Sequence, residues 1–240
     1  MRADRDAYGQ EIWHCYKGHS CHEIVERDDG LIDVGNALQY FQEYAKWPAH
    51  EREAIRLVRG KVLDVGCGAG RVALYLQQSG HEVLAIDNSP LAVKVAKLRG
   101  VKAARVLSIQ DIHKLRGRFD TIVLYGNNFG LFGSIQRARR LLRVMHRMTS
   151  PDAKILASAA DPYHTHDPVH LAYHARNRKR GRMSGQLRLR IRCRQFRGDW
   201  FDYLFVSTGE LRAIVENTGW QVAKIVASPG PGYVAILEKA

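Results

Sequence analysis

A buried strand that runs directly into a glycine-rich turn is the feature that most constrains the fold of this chain. Residues 62–65 (Val-Leu-Asp-Val) have the composition of a buried strand, residues 66–70 (Gly-Cys-Gly-Ala-Gly) that of a turn, and residues 71–78 that of a helix. Glycines let the backbone approach a ligand closely, and a helix that begins at such a turn directs its free N–H groups toward that ligand. The segment therefore predicts a ligand-binding strand–turn–helix unit.

Short apolar runs alternate with helical stretches along much of the remaining chain. Further strands are predicted at residues 82–86, 102–106, 119–125, 154–159, 222–227 and 233–237. Helices are predicted at residues 90–98, after the capping residue Ser134, and from the capping box at 207–210 to about residue 217. This alternation is typical of an α/β fold with a parallel sheet covered by helices.

Two regions lie outside the alternation and divide the expected single domain of residues 1–240 into four parts. The predicted parts are a helical N-terminal extension or cap (1–58), a ligand-binding core (59–160), an insertion (161–206), and a C-terminal helix with two strands (207–240). The insertion follows the fifth strand, and α/β folds place ligand-contacting loops at the carboxyl ends of their strands. We expect the core to hold a cofactor and the insertion to select its reaction partner.

The residues around the glycine turn predict the chemistry of the ligand. The spacing is G-x-G-x-G, and Arg71 stands where a dinucleotide motif has its third glycine. Asp64 precedes the first glycine by two residues, where an acid would repel a pyrophosphate but suit an ammonium group. Asp87 ends the second strand, where a carboxylate can accept both ribose hydroxyls. A nucleoside with a cationic tail and no phosphate, such as S-adenosylmethionine (SAM), fits these features.

Together with the segment Ser108-Ile-Gln-Asp-Ile112, these motifs resemble the class I SAM-dependent methyltransferases, over about residues 60–160 and less closely in the C-terminal strands. The resemblance implies a three-layer Rossmann-like sandwich with a mostly parallel seven-stranded sheet whose last strand is antiparallel. It also implies SAM as cofactor, S-adenosyl-L-homocysteine (SAH) as product, and no metal.

The resemblance assigns cofactor-binding roles by position. Methionine-binding groups would be Asp64 and the backbone of Gly66, Cys67, Gly68 and Gly70, with Tyr125 and Gly126 beside the transferred methyl. Asp87 would bind the ribose. The adenine would lie against Asn88 and Ile112, with Asp111 accepting its exocyclic amine.

The loop after the fourth predicted strand bears on the methyl acceptor. It reads Tyr-Gly-Asn-Asn-Phe-Gly from residue 125, without the two prolines of the Asn/Asp-Pro-Pro-Tyr/Phe motif in enzymes that methylate adenine or glutamine amides. This difference favours a small-molecule acceptor. Asn127 is a candidate catalytic or substrate-binding residue, although asparagines also hydrogen-bond within their own turns.

Histidines concentrate in the insertion, at positions 164, 166, 170 and 174. An imidazole can accept a proton near neutral pH, so His166, with His164 as second choice, is the predicted general base. A metal set and a solvated polar loop are the other interpretations. The N-terminal His14, Cys15, His19, Cys21 and His22 raise the same question, but Cys-x5-Cys is not a typical zinc spacing.

Residues 176–197 hold nine arginines and one lysine without an acid, which accounts for +10 of the net charge of +13. Residues 187–194 alternate apolar residues with arginine, so an antiparallel hairpin with one arginine face is expected, covering the active-site end or a dimer partner. The arginines could bind RNA phosphates, bind an anionic small molecule, or pair with carboxylates of the fold.

Composition completes the expectations. No apolar run approaches the roughly 18 residues of a membrane span, the chain lacks the apolar start of a signal peptide, and four cysteines are too few for a disulfide framework. We expect a soluble, cytoplasmic monomer or homodimer. The leading hypothesis is methyl transfer from SAM to a small-molecule acceptor, which could be anionic. An RNA methyltransferase is the alternative, and a non-catalytic SAM-binding subunit the third.

Overall fold

The computed structural model describes residues 5–19 and 22–240. Its helices are α1 (Ala7–Tyr16), α2 (Ala49–Ala54), α3 (Arg71–Gln78), α4 (Pro90–Leu98), α5 (Ile135–Arg147), α6 (Pro168–Lys179) and α7 (Thr208–Val215). Its strands are β1 (His22–Arg27), β2 (Ile32–Asn36), β3 (Val62–Val65), β4 (Val83–Asp87), β5 (Ala104–Val106), β6 (Phe119–Leu124), β7 (Thr149–Ala160), β8 (Gln186–Cys193), β9 (Phe196–Arg197), β10 (Phe201–Leu204), β11 (Trp220–Ala227) and β12 (Gly232–Lys239). Short 3-10 turns connect several of them.

The main sheet has seven strands in the order β11-β12-β7-β6-β3-β4-β5. Neighbours from β7 to β5 are parallel, and β12 is antiparallel to both β7 and β11. The predicted Rossmann-like α/β fold is therefore confirmed. Chain order runs outward from β3 through β4 and β5 on one side and through β6 and β7 on the other, so the carboxyl end of β3 is the switch point at which such sheets bind ligands.

The two faces of the main sheet bury separate apolar clusters, because successive strand residues point to opposite sides. Leu63 and Val65 pack into one cluster with α5 and α7, whereas Val62 packs into the other with α3 and α4. The capping predictions hold as well. Ser134 accepts from Arg137 at the start of α5, and the Ser207–Glu210 capping box is formed at α7.

A second, antiparallel sheet joins the N-terminal extension to the insertion. Its order is β10-β8-β1-β2, with the short β9 also paired to β8. The hairpin expected in the insertion is present as β8 and β10. The extension is helical at α1 and again from Ala37, but it also contains β1 and β2, which the sequence interpretation omitted. β2 pairs with β1 across a short turn, and β1 also pairs with β8, more than 160 residues away, so this part of the sheet depends on a long-range contact.

Among the described residues, no helix combines the length and apolarity that a membrane span requires. Cys67 and Cys193 are buried free thiols. Cys15 differs from the expectation of reduced cysteines, since it is disulfide-bonded.

Candidate active site

The glycine turn at the end of β3 has a backbone that only glycine adopts without strain. Gly66, Gly68 and Gly70 have φ values of +74°, +52° and +83°. The Asn128 amide donates 2.9 Å hydrogen bonds to the carbonyls of Val65 and Gly66, which ties the turn to the loop after β6. A side chain at Gly66 would collide with that amide. Asn128 is therefore a structural residue of the turn.

Asp87 closes the opposite side of the turn. Its carboxylate is 6% exposed and accepts 2.9 Å hydrogen bonds from the backbone N–H groups of Gly68 and Ser89. Burial raises its pKa from 3.8 to about 6, against the opposing effect of those N–H groups. A carboxylate has about four lone-pair sites, so it keeps capacity for two ribose hydroxyls.

Asp64 is a buried carboxyl with an orphaned oxygen. It is 2% exposed, and its Oδ2 has no hydrogen-bond partner. Burial raises its pKa to about 7, although the nearby Arg71 guanidinium lowers it. An ammonium group would supply the missing donor, so this residue fits the methionine end of SAM.

Arg71 and Glu51 form a buried ion pair next to Asp64. Their side chains are 13% and 4% exposed, and the Nη2–Oε2 distance is 2.7 Å. Glu51 also accepts from the Gly126 N–H at 3.3 Å, and its carbonyl accepts from the Tyr125 hydroxyl at 2.9 Å. Helix α2 thus holds the start of α3 and the carboxyl end of β6. The sequence interpretation missed Glu51, which carries no motif.

The predicted adenine side is less complete. Asn88 is exposed next to Asp87, Ile112 is fully buried within the core, and the Asp111 carboxylate pairs with Lys114 at 2.7 Å. That lysine lowers the pKa of Asp111. The orphaned Asp64 oxygen and the free capacity of Asp87 nevertheless fit the ammonium and ribose of SAM.

Two tyrosines of the extension cover the glycine turn. The Tyr8 hydroxyl lies 2.7 Å from the point where Gly68 would carry a Cβ. The Tyr8 and Tyr40 rings meet edge to face with their centroids 5.4 Å apart, and the Tyr40 hydroxyl donates to Glu23 at 2.7 Å. Burial raises the pKa of both phenols. Both side chains are partly buried.

Tyr203 of β10 closes the side of the site that faces β6. Its hydroxyl donates to the Asn127 carbonyl at 2.6 Å, and its ring occupies the space next to Gly130. Asn127 has a left-handed φ of +62°, and its N–H lies 3.2 Å from the Ser158 hydroxyl. Burial and then the Glu23 carboxylate raise the pKa of Tyr203. The Glu23 carboxylate, which accepts from Tyr40, thus also affects the ionisation of Tyr203.

Glu11 is the least satisfied acid in the described part of the chain. It is 2% exposed, and neither carboxyl oxygen has a hydrogen-bond partner. Burial, followed by the charge of Glu23, raises its pKa from 4.5 to about 9. Glu11 is three residues after Tyr8 on α1, so both side chains share one helix face.

A family model for a methyltransferase domain matches residues 37–225. The chain belongs to the SAM-dependent methyltransferase family. A SAM-dependent methyltransferase from Bacteroides fragilis, crystallised with S-adenosyl-L-homocysteine, is 31% identical with a TM-score of 0.86, and the alignment covers 100% of this chain and 97% of that one.

Curated relatives match shorter segments of this methyltransferase. A ubiquinone biosynthesis O-methyltransferase of Xanthomonas oryzae pv. oryzae is 31% identical over 108 residues, which is 42% of this chain and 44% of the relative. The chain thus spans less than half of that relative's length. A protein named hemagglutinin 1 from Eikenella corrodens is 30% identical over 177 residues, 68% of this chain and 58% of that protein.

The histidines of the insertion form no described contact with the glycine turn of this methyltransferase or with the tyrosines that cover it. His164 and His166 are exposed in the loop after β7 and form no side-chain hydrogen bond within residues 5–19 and 22–240. His170 Nδ1 lies 3.0 Å from Arg27, and His174 is buried against Tyr163. The described residues contain no cluster of three or more His, Cys, Asp or Glu side chains that could hold a metal; Cys21 lies outside them.

The arginine face of β8 pairs with acids of the neighbouring strands. Arg190 lies opposite Glu26 of β1 in register and contacts both its oxygens, at 2.9 and 2.7 Å. Arg188 lies opposite Asp202 of β10 in register, at 3.3 Å. Further pairs join Arg192 to Glu26, Arg176 to Asp28, and Arg182 and Arg137 to Asp202. The third interpretation of these arginines, pairing within the fold, therefore describes most of the face.

Proposed function

We propose that this methyltransferase transfers the methyl group of SAM to a small molecule enclosed between the main sheet and the second sheet. The observation that carries the proposal is the closure of the site at both ends. Tyr8 covers the glycine turn, and Tyr203 is bonded to the Asn127 loop. A polymer needs an open cleft, whereas this arrangement suits a ligand that can be surrounded by protein.

The residues of the chain supply positioning and exclusion of water. SAM, when bound, provides a methyl group that is already activated by its sulfonium. Asp64 and Asp87 would hold the ammonium and the ribose, and the glycine turn would fix the chain between them. The tyrosine cover would keep water from the reacting atoms, which strengthens the electrostatic interactions inside.

Features of the chain weigh against the alternatives. The arginines that an RNA methyltransferase would use are largely paired with Glu26, Asp28 and Asp202. An anionic acceptor is disfavoured because the enclosed acids are Glu11 and Glu23. The name of the Xanthomonas relative describes methylation of a small molecule, which agrees with the proposal. We further propose a cytoplasmic enzyme that is a monomer or homodimer.

Of the predicted catalytic residues, we retain Asn127 in a positioning role. Its carbonyl holds Tyr203 and its loop borders the glycine turn. We propose that His164 and His166, which are exposed, have no part in proton removal.

Methyl transfer from tritiated SAM tests the proposal. The protein is incubated with a low-molecular-weight cell extract and, separately, with bulk RNA. We expect label in the small-molecule fraction, no stable RNA binding at low salt, and loss of transfer in Asp87→Ala. His166→Ala should retain transfer. Label in RNA would contradict the proposal, as would calorimetry that detects no SAH binding. Binding of SAH without transfer to either fraction would favour a non-catalytic subunit.

A further inference from the structure

Glu11 and Glu23 are two enclosed acids that cofactor binding leaves unused. Glu23 accepts hydrogen bonds from the Tyr40 hydroxyl at 2.7 Å and the Gln39 amide at 3.4 Å, and Glu11 has no partner for either oxygen. We propose that these two carboxyls, walled by Tyr8, Tyr40 and Tyr203, form the acceptor subsite and bind a protonated amine, which is the group methylated. This inference rests on the proposed function and names its substrate class.

The register of the second sheet directs Glu23 into the enclosed space. Glu23 alternates with Glu26 on β1, so the two point to different faces. Glu26 faces outward with Arg190, opposite which it lies. Continued by one residue, the register puts Glu23 opposite Cys193 of β8, and Tyr203 lies opposite Leu187 on the same face, so the three side chains share one face of the sheet. Burial and then the charge of Glu23 raise the pKa of Tyr203. Burial and then the charge of Glu11 raise the pKa of Cys193.

Neither carboxyl group is paired with a cationic side chain in the part of the chain that the structure describes. No Lys or Arg of the described residues forms an ion pair with Glu11 or Glu23. A buried carboxyl without a partner is costly and takes up a proton instead, as the raised pKa of Glu11 indicates. An ammonium group carries three donors and a positive charge, so it can bond to both acids at once. A carboxylate or phosphate ligand would add to the repulsion.

The tyrosines suit the same ligand. Their ring faces carry negative charge density that attracts cations, and a ring that meets a second ring edge to face leaves faces free for a ligand. Tyr8 and Tyr40 meet in this way at 5.4 Å. Tyr8 also lies at the glycine turn, so an amine held here is close to the cofactor site.

The subsite also contains an acceptor for the proton that the ammonium group must lose before methyl transfer. An ammonium nitrogen has no free electron pair, so it must first transfer one proton to the Glu23 carboxylate. The nitrogen lone pair then forms the bond to the methyl carbon, while the carbon–sulfur bond breaks and its electron pair stays on sulfur. The products are the protonated N-methylated amine, neutral sulfur and a protonated Glu23, so the charges balance. Tyr40 keeps the Glu23 carboxylate in place through its hydrogen bond.

Methylammonium is small enough to enter an amine subsite of any shape, so its binding tests the proposal. The SAH-loaded protein is titrated with methylammonium chloride, sodium chloride or sodium acetate at equal ionic strength, and its melting temperature is followed. We expect methylammonium alone to raise the melting temperature. Glu11→Gln and Glu23→Gln should each weaken its apparent Kd by about tenfold or more. Glu26→Gln, on the same strand but the other face, should not.

Calorimetry with SAH separates the two levels of the proposal. Absence of SAH binding to the wild type would remove the proposed function itself. Normal SAH binding with no specific effect of methylammonium on the wild type would overturn only the amine subsite. So would an apparent methylammonium Kd that is the same in both Gln variants as in wild type. Loss of SAH affinity in Glu11→Gln or Glu23→Gln, in a protein that unfolds cooperatively like wild type, would also overturn it, because the acids would then belong to the cofactor site.

Discussion

The Asp87 carboxylate at the end of β4 accepts a 2.9 Å hydrogen bond from the backbone N–H of Gly68 in the turn after β3. The residue that binds the ribose in the proposed complex is therefore the residue that shapes the turn for the methionine. Because burial raises its pKa from 3.8 to about 6, the free protein protonates it more readily than an exposed aspartate. Both properties can be measured through SAH affinity.

We predict that SAH affinity rises with pH through about 6 and levels off above about 7, where Asp64 is also ionised. Ribose hydroxyls and the ammonium donate to the carboxylates, so binding favours their ionised forms. The stability of the ligand-free protein depends on pH in the opposite direction. Raised carboxyl pKa values stabilise its fold below about pH 4, and this contribution is lost as pH rises through about 6 to 7.

Calorimetry between pH 5 and 8 checks this, in buffers that differ in ionisation enthalpy. Asp87→Asn should flatten the step near pH 6, and Asp87→Ala should weaken SAH binding by about 1.5–3 kcal/mol. Affinity that is independent of pH in the wild type would contradict the assignment of both carboxylates.

The buried pair between Glu51 and Arg71 predicts a large stability difference within one helix. Glu51→Gln leaves the Arg71 guanidinium without its charge partner, so the free energy of unfolding should fall by about 3 kcal/mol. Glu53→Gln, two residues away, removes an exposed pair with Lys224 and should cost below about 1 kcal/mol. Urea unfolding measures both. Equal effects would show that the Glu51 pair is not buried in solution.

The pairing of Arg190 with Glu26 predicts a pH-dependent role in stability. The hydrogen bond from Arg190 lowers the pKa of Glu26 below 4.5, so the pair stabilises the fold above that pH and ceases to do so as pH falls through the lowered pKa. Arg190→Gln should therefore melt at a lower temperature than wild type at pH 7, and the difference should shrink in acid. The exposed Arg197→Gln should melt like wild type at both pH values. A constant difference across this range would mean that Arg190 acts through packing on Trp200 instead.

The core of the fold was predictable because its signals are local. Residues 62–65 and 71–78 are strand and helix as expected, since apolar runs, glycines and caps act within a few residues. The second sheet was not predictable in the same way. Glu23 and Glu26 look alike in the sequence, and only pairing of β1 with β8 turns one inward and the other outward.

The residues of the site differ in the same way, since some are marked by local sequence signals and others are not. The Asp64 and Asp87 positions came with the glycine turn, whereas Glu11 and Tyr8 belong to a helix that no motif marks. The histidine cluster drew attention by number, although His164 and His166 are exposed. Their spacing along the chain carried no information about distance from the turn.

The contact of Gly130 with Tyr203 yields a prediction that no sequence pattern suggests. The φ of Gly130 is not positive, so alanine is compatible with its backbone, yet the added Cβ would fall within the Tyr203 ring. Gly130→Ala should therefore cost about 1–3 kcal/mol of unfolding free energy, the usual range for overpacking. In a Tyr203→Ala background the ring is absent, and the same substitution should cost close to nothing, so the two changes are strongly coupled.

A control for this prediction is Gly209→Ala in α7, where the added Cβ would have only the Ser207 hydroxyl nearby, at 4.0 Å. This substitution should instead stabilise the protein by up to about 1 kcal/mol. Denaturation of the four proteins of the cycle and this control decides the matter. Additive costs for Gly130→Ala and Tyr203→Ala would mean that Tyr203 does not lie against the Asn127 loop in solution, and the enclosed site would then be open on that side.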